Sequence, residues 1–358
     1  MPPPRQRNRG GAVTTAQQIN TATDAGSPVL LSVNDLKVHF HVSRGSLPWS
    51  GKATLRAVDG VSFDVRRGET VGLVGESGCG KSTLARAIVG LTPVTAGGVQ
   101  WLGKETVQAE GRHAKRDTTQ LRRDVQMIFQ DPLASLDPRM TIAQIVAEPL
   151  ITHRPGIGRE DVRRRVLAMI ERVGLNEQHL RRYPHEFSGG QCQRIGIARA
   201  LVGEPQLVIC DEPVSALDVS IQAQIVNLLR DLQRELHLSL LFVAHDLAVV
   251  KAISQRVLVM YLGRVMEFGE RHDVYGAPSH PYTRALLSAV PVPDPAIERA
   301  RSHLLLRGEI PSPLSPPSGC AFRNRCPDAI DACAGETPLP LVRGATSARV
   351  ACIRVGSG

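Results

Sequence analysis

Gly75-Glu76-Ser77-Gly78-Cys79-Gly80-Lys81-Ser82, followed by Thr83, decides how this chain folds. The stretch fits G-x-x-x-x-G-K-[ST]. An apolar run, Thr70–Val74, precedes it, and a helix-forming stretch from Lys81 to Gly90 follows. A strand, a glycine turn and a helix start in that order turn consecutive backbone N–H groups inward. Together with the helix dipole these groups hold phosphate oxygens. Lys81 is placed to reach the β- and γ-phosphates, and Ser82 to ligate Mg²⁺. A merely flexible glycine turn would need neither flank, so nucleotide binding is expected here.

Outward from this loop, short apolar runs alternate with helical stretches. Val29–Val33, Thr70–Val74, Val125–Phe129, Leu207–Cys210 and Leu238–Val243 predict buried strands. Arg163–Val173, Gln191–Val202, Val219–Leu236 and Leu247–Ile253 predict helices between and after them. Such alternation predicts an α/β fold, a mainly parallel sheet covered by helices on both faces. Gly97–Arg122 is polar and reads as a loop. The texture changes after Tyr275, where Pro291–Pro295 and Pro311–Pro317 are proline-rich. The expected division is a disordered tail over 1–28, a motor domain over 29–278 and a C-terminal extension over 279–358.

Leu207-Val-Ile-Cys-Asp211-Glu212 is an apolar strand ending in two acids. In a parallel sheet, ligands gather at the carboxyl ends of the strands, which is also where the phosphate loop lies. Asp211 can hold the Mg²⁺ shell and Glu212 can polarise an attacking water, because phosphoryl transfer needs positioning and charge balance. Two acids after a strand are by themselves more often a turn or a cap. Their pairing with Gly75–Ser82 turns the reading toward catalysis.

Bulk properties narrow the alternatives. Apolar content of 42% and charged content of 22% are ordinary for a globular protein, which excludes a low-complexity chain. No run approaches the ~18 apolar residues a membrane helix needs, and Met1–Ser27 lacks an apolar signal core. The net charge of +9 rests mostly on scattered arginines, so it reads as surface solvation rather than a nucleic-acid or lipid patch. Seven cysteines are odd in number, and Cys79, Cys192 and Cys210 sit within the motor segment. That pattern argues for a reduced cytosol rather than a disulfide framework.

Phe187-Ser188-Gly189-Gly190-Gln191-Cys-Gln-Arg194 resembles the signature motif of ATP-binding-cassette (ABC) ATPases, with Phe187 where leucine is usual. Its residues would open a helix and present a hydroxyl, bare N–H groups and a dipole to an anion. Other family elements follow in order. Gln130 resembles the glutamine-loop residue that senses Mg²⁺ and water, and Ser215-Ala-Leu-Asp218 resembles the loop across the dimer interface. His245 resembles the switch histidine at the γ-phosphate. Phe40 aligns with the aromatic that stacks on adenine, with His39 and Trp49 as alternatives nearby. The resemblance spans about Val29 to Pro293. It implies a P-loop NTPase fold with an antiparallel β subdomain and a helical signature subdomain.

By resemblance, two such domains pair head to tail, each completing the other's ATP site. A single motor set with no spanning helix resembles an importer subunit. A soluble, non-transport ABC ATPase usually carries two motors or a coiled coil, and an exporter half normally has a fused membrane domain. Gly75–Lys81, Phe129–Arg139, Tyr183–Gln191, Asp211–Ser220 and His280-Pro-Tyr-Thr-Arg-Ala-Leu-Leu resemble the oligopeptide/dipeptide importer group. Nickel and antibiotic-peptide systems share the pattern. The resemblance implies a second, different ATPase subunit, two membrane permeases, a separate substrate-binding protein and no nucleic acid. It places the chain peripherally on the cytoplasmic face of the inner membrane. The insert around Ser43–Thr54 resembles the second of the group's two ATPase subunits.

Cys320-x₅-Cys326-x₆-Cys333-x₁₈-Cys352 gathers four cysteines in a region with little apolar content. A short, core-poor segment needs a staple. In a reducing compartment four thiolates suit a metal or an iron–sulfur cluster better than disulfides. Zinc would take the same ligands, but C-x₂-C pairs are absent. Free thiols packed as small hydrophobes are the other reading. Some members of the group carry a [4Fe–4S] cluster on a similar set, and the resemblance implies one here.

Overall fold

The structure, a computed structural model, describes residues 27–43, 52–108, 118–291, 299, 306, 308–335, 341–342 and 348–355. Residues 1–26 of the expected tail, and Trp49, lie outside the described residues. In chain order, β1 (Val29–Ser43), β2 (Lys52–Arg66) and β3 (Thr70–Val74) lead through the phosphate loop to α1 (Lys81–Ile88). Next come β4 (Ala96–Trp101), β5 (Lys104–Gln108), α2 (Thr119–Asp124) and β6 (Val125–Ile128). The helices α3 (Ile142–His153), α4 (Arg159–Arg172) and α5 (Gly189–Leu201) follow. β7 (Leu207–Asp211), α6 (Val219–Leu236), β8 (Ser239–Val243), α7 (Leu247–Ile253), β9 (Arg256–Tyr261) and β10 (Arg264–Glu270) complete the sheet's centre. α8 (Arg271–Gly276), α9 (Pro281–Ser288), α10 (Ala332–Gly335), β11 (Leu341–Val342) and β12 (Arg349–Val350) end the chain.

The main sheet has the order β11-β12-β10-β9-β3-β8-β7-β6, with β9, β3, β8, β7 and β6 parallel. Strands β9, β3, β8 and β7 are buried at every position and mostly apolar, because both faces are covered. Alternate residues feed two separate cores. Val71, Leu73, Leu207, Ile209, Leu241 and Val243 face the antiparallel sheet and α1. Val74, Val208, Cys210, Leu240, Phe242 and Val257 face the helices. This is the period of two that a pleated strand imposes. Gly72 in β3 has a packing reason: a Cβ there would come within 2.3 Å of Val250 Cγ1 on α7. The helix lies against the strand only because that side chain is missing.

The expected loop over Gly97–Arg122 is corrected by the structure. β4 and β5 form a hairpin in the antiparallel sheet β2-β1-β4-β5. Its turn is Leu102-Gly103, with φ of 50° and 76°, the two positive values that a tight hairpin turn requires. Val99, Trp101 and Val107 point inward and are buried, while the facing positions are polar. A one-sided strand pair looks hydrophilic on average, and the alternation alone reveals it.

The C-terminal extension packs on the motor. Tyr282, Ala321 and Phe322 belong to the same core as Tyr261 and Val257, and Phe322 is fully buried. Burying one such ring is worth about 1.5–3 kcal/mol. β12 adds to the free edge of β10 through Glu267 and Phe268.

Candidate active site

Gly80 shows why the phosphate loop needs its glycines. Its φ is 103°, and a Cβ there would lie 2.0 Å from the Ala57 carbonyl oxygen. The loop can therefore sit against β2 only with hydrogen at this position. Beyond it, Lys81 opens α1 and curls back, its Nζ donating to the carbonyls of Gly75 at 2.8 Å and Glu76 at 3.2 Å. The ammonium is held inside the loop with 4% of its side chain exposed.

The parallel order β3-β8-β7-β6 brings the carboxyl ends of the strands beside this loop. Asp211 ends β7, fully buried, and its Oδ1 accepts from the Ser82 hydroxyl at 2.8 Å. Its Oδ2 is buried without a hydrogen-bond partner. Burial pushes the Asp211 carboxyl above the ordinary carboxylate range, partly offset by the Ser82 hydrogen bond. An unpartnered buried carboxylate oxygen next to a serine hydroxyl is what a hard divalent cation would complete, so the residues fit Mg²⁺.

Glu212 stands where the sheet's edge meets the loop. Its φ of 46° is left-handed, strained backbone for a residue other than glycine, and its N–H donates to the Val243 carbonyl at 3.0 Å. Its carboxylate accepts from Gln130 Nε2 at 3.2 Å, lies 3.5 Å from His245 Nδ1 and 3.8 Å from Lys81 Nζ. Thus residues following β6, β7 and β8 converge on one carboxylate.

Lys81, Ser82, Gln130 and Glu212 line a cavity of about 320 Å³, while Asp211 and His245 lie outside its lining. Ser77, Gly78, Gly80, Lys81, Ser82 and Thr83 form its floor, and Gln130 and Glu212 one wall. Gly75, Glu76 and Cys79 shape the loop without lining the cavity, and Cys79 is buried with its thiol pushed up by burial. Phe40 lies on the far wall. His39 instead pairs with Asp59 at 3.1 Å, outside the lining. Ala57 and Pro313 also line the cavity, one from β2 and one from the extension. No motif marks either residue in the sequence.

Ser188, Gly189, Gly190, Gln191 and Asp218 do not line this cavity. Ser188 caps α5, its Oγ accepting from the Gln191 N–H, while Gln191 Oε1 accepts from the Ser188 N–H at 3.0 Å. A Cβ on Gly190 would come within 2.8 Å of Ile221 in α6, so the signature turn lies against the segment that follows Asp218. Asp218 and its neighbour Val219 are exposed, Val219 at 81%.

Two further cavities stand apart. One, of about 410 Å³, lies between α3 and α4 and is lined by Met140, Ala147, Ile151, Val162 and Val166 among others. The second, of about 340 Å³, is lined by Cys320, Cys326, Cys333 and Cys352 together with Arg284 and Arg323. Burial pushes the Cys326 thiol up to about 11 and raises that of Cys320 as well. The four thiols face a common space. Yet among the described residues, these four cysteines included, no group of three or more His, Cys, Asp or Glu is placed to hold a metal ion, which bears on zinc and on an iron–sulfur cluster alike. No helix among them is long and apolar enough to cross a membrane.

Comparison with known proteins agrees with this geometry. Residues 58–215 match the family described as ABC transporter, and residues 266–333 match the oligopeptide/dipeptide transporter C-terminal region. The chain is 59% identical over 338 residues to the oligopeptide transport ATP-binding protein OppF of Escherichia coli (strain K12), covering 94% of this chain and 99% of that one. It is 57% identical to OppF of Haemophilus influenzae, covering 91% and 97%. Among solved structures, a dimeric post-hydrolysis state of the ATP-binding cassette MJ0796 bound to ADP and Pi superposes with a TM-score of 0.59 at 28% identity. That match covers 68% of this chain and 99% of the other. cbiO1 from Clostridium perfringens, part of the ABC transporter complex cbiONQ, gives 0.58 at 27% identity, covering 70% and 91%.

Proposed function

The chain belongs to the ABC transporter ATPases, in their oligopeptide/dipeptide branch, and from that premise we propose that it hydrolyses ATP to power oligopeptide import across the cell membrane. The observation that carries this reading is the convergence of Lys81, Gln130 and His245 on Glu212, beside the Ser82–Asp211 pair. The triphosphate lies along residues 75–83 and the base against Phe40. Ser82, Asp211 and Gln130 would hold Mg²⁺, which when bound supplies charge neutralisation at the phosphates. Glu212 orients and polarises the attacking water, with Gln130 and His245 on either side of its carboxylate. Lys81 stabilises the charge that develops on the transferred phosphoryl group.

The remaining motifs serve assembly. Ser188–Gln191 and Asp218 act on the nucleotide of a second, different ATPase subunit. The exposure of Ser188, Gly189 and Asp218 and the place of all five residues off the chain's own cavity support this. The apolar cavity between α3 and α4 receives a cytoplasmic helix of one of two permeases, so that the chain works peripherally on the cytoplasmic face. A separate binding protein delivers the peptide. Residues 29–278 form the motor and 279–358 an extension, whose described residues include Tyr282 and Phe322 in the motor's core.

The four cysteines support a [4Fe–4S] cluster. What supports this reading is that Cys320, Cys326, Cys333 and Cys352 line one cavity, together with the resemblance to importer subunits that carry such a cluster. Iron and sulfide analysis of anaerobically purified protein should find about four of each per chain, and an iron-free preparation with unchanged stability rules the cluster out.

Glu212→Gln tests the central reading. It should bind ATP yet lose turnover by on the order of a hundredfold, and accumulate as a closed ATPase dimer in light scattering. Hydrolysis at the unmutated rate would remove Glu212 from its role.

A further inference from the structure

Glu76, the second residue of the phosphate loop, puts a carboxylate in the loop that is to hold a polyanion, just off the lining of the cavity. Such a charge repels a triphosphate unless something cancels it. The cancelling group comes from the C-terminal extension. Arg325 meets Glu76 as a fork, Nη1 to Oε2 at 2.6 Å and Nη2 to Oε1 at 3.0 Å. The pair is mostly shielded, with 7% of the arginine side chain and 22% of the glutamate exposed. Bidentate pairing of this kind fixes geometry as well as charge.

The same residue is gripped at its backbone. The Glu76 N–H donates to the Tyr282 hydroxyl at 3.0 Å, and its carbonyl accepts from Lys81 at 3.2 Å. Tyr261, Tyr282 and Phe322 pack as one aromatic group, with centroids 4.8–5.4 Å apart. The Arg325 guanidinium lies 5.8 Å from the Tyr261 ring and donates to its hydroxyl at 3.4 Å. Arg325 is thus held on the Tyr261 ring, which itself packs against Tyr282 and Phe322. Pro313, also from the extension, lines the nucleotide cavity.

We propose that Arg325 is a positioning residue of the nucleotide site, neutralising Glu76 and holding the phosphate loop, so that the extension is a working part of ATP binding. The proposal rests on the reading that residues 75–83 bind ATP. It predicts an electrostatic signature that a purely structural contact would not give. Removing the arginine leaves the Glu76 carboxylate uncompensated beside the phosphates. Removing that carboxylate as well should then relieve the defect.

The test is titration of the full-length chain with a fluorescent ATP analogue and its ADP counterpart, with melting curves as a fold control. Arg325→Ala should weaken ATP binding about tenfold, and ADP binding less, because the ligand with more charge is repelled more. Added salt should narrow the gap to the unmutated chain. Arg325→Lys should recover part of the loss, and Arg325→Ala combined with Glu76→Gln most of it. Unchanged affinity in Arg325→Ala overturns the proposal. So does a double variant as weak as Arg325→Ala at equal stability. Should Arg325→Ala fail to fold, Arg325→Gln, which keeps a polar side chain but no charge, decides: full affinity overturns the proposal, and a salt-sensitive loss supports it. An unmutated chain that binds no ATP overturns the nucleotide reading itself, and this proposal with it.

Discussion

The phosphate loop and the signature turn both lead into a helix N-terminus, yet they are held in opposite ways. The phosphate loop is tied to the rest of the molecule at several residues. Lys81 bonds its carbonyls, Ser82 reaches Asp211 on β7, and Glu76 is held by Tyr282 and Arg325. Its charged groups are buried, and a buried charge must find partners within the fold. The signature turn is bonded chiefly to itself, through the reciprocal caps of Ser188 and Gln191, and Ser188 and Gly189 are exposed. One half of a nucleotide site is therefore complete in this chain. The other lies off the chain's own cavity and, as proposed, serves another subunit's nucleotide.

The strongest way to break the comparison is Lys81→Ala. If the lysine neutralises phosphate charge, ATP turnover should fall by on the order of a hundredfold or more, with nucleotide affinity falling too. Phosphate release and ligand titration read both, and a variant with unmutated kinetics would make the buried loop a structural turn. Ser188→Asp probes the other half. In the assembled transporter it should reduce turnover by about ten- to a hundredfold, by placing a negative charge against the partner's phosphates. In the isolated chain its cost in ATP affinity should be far smaller than that of Lys81→Ala. Equal losses in both preparations would mean that Ser188 serves its own chain's nucleotide.

The buried carboxylate sharpens the contrast through pH. The folded Asp211 keeps its proton to higher pH than the unfolded chain does, because burial disfavours its charge. Its contribution to stability therefore falls as pH rises from the ordinary carboxylate value through the raised folded one. Asp211→Asn should remove that pH dependence and raise the Tm of the nucleotide-free chain above that window by roughly 2–4 °C, while abolishing Mg²⁺-dependent turnover. A nucleotide-free melting curve with the same pH slope in both proteins contradicts the assignment. The smallest effect on the chain itself is expected at Ile151, 61% exposed on the apolar cavity between α3 and α4. Ile151→Glu should leave stability within about 0.5 kcal/mol and ATP binding unchanged, yet uncouple hydrolysis from the permeases. Full coupling in the variant would place the permease contact elsewhere.

Much of the active site was legible because its parts are local. A buried strand followed by glycines and a lysine, or by two acids, is a contiguous string. Strands β3, β7 and β8 and helices α6 and α7 run close to where the apolar runs placed them. The β4–β5 hairpin was not legible as strand, since its outward positions are glycine and polar residues. Only Val99, Trp101 and Val107, every second residue on their strands, carried the signal. The crowding of the four cysteines was legible in the sequence, but that Ser279, His280 and Arg284 line one cavity with them was not, because only packing brings those segments together.

By itself the sequence determined the chemistry: a loop able to cradle phosphates, two acids to hold a cation and direct water, and a helix start for an anion. Each depends on residues a few positions apart, where backbone geometry alone dictates the arrangement. Only the tertiary structure decided which of these meet. The order β3-β8-β7-β6 brings Gln130, Glu212 and His245 to one point. The packing of the extension on the main sheet brings Arg325 to Glu76 across 249 positions of chain. An ion pair at that separation forms because the aromatic core of Tyr261, Tyr282 and Phe322 supports it, and that core exists only once the sheet has closed.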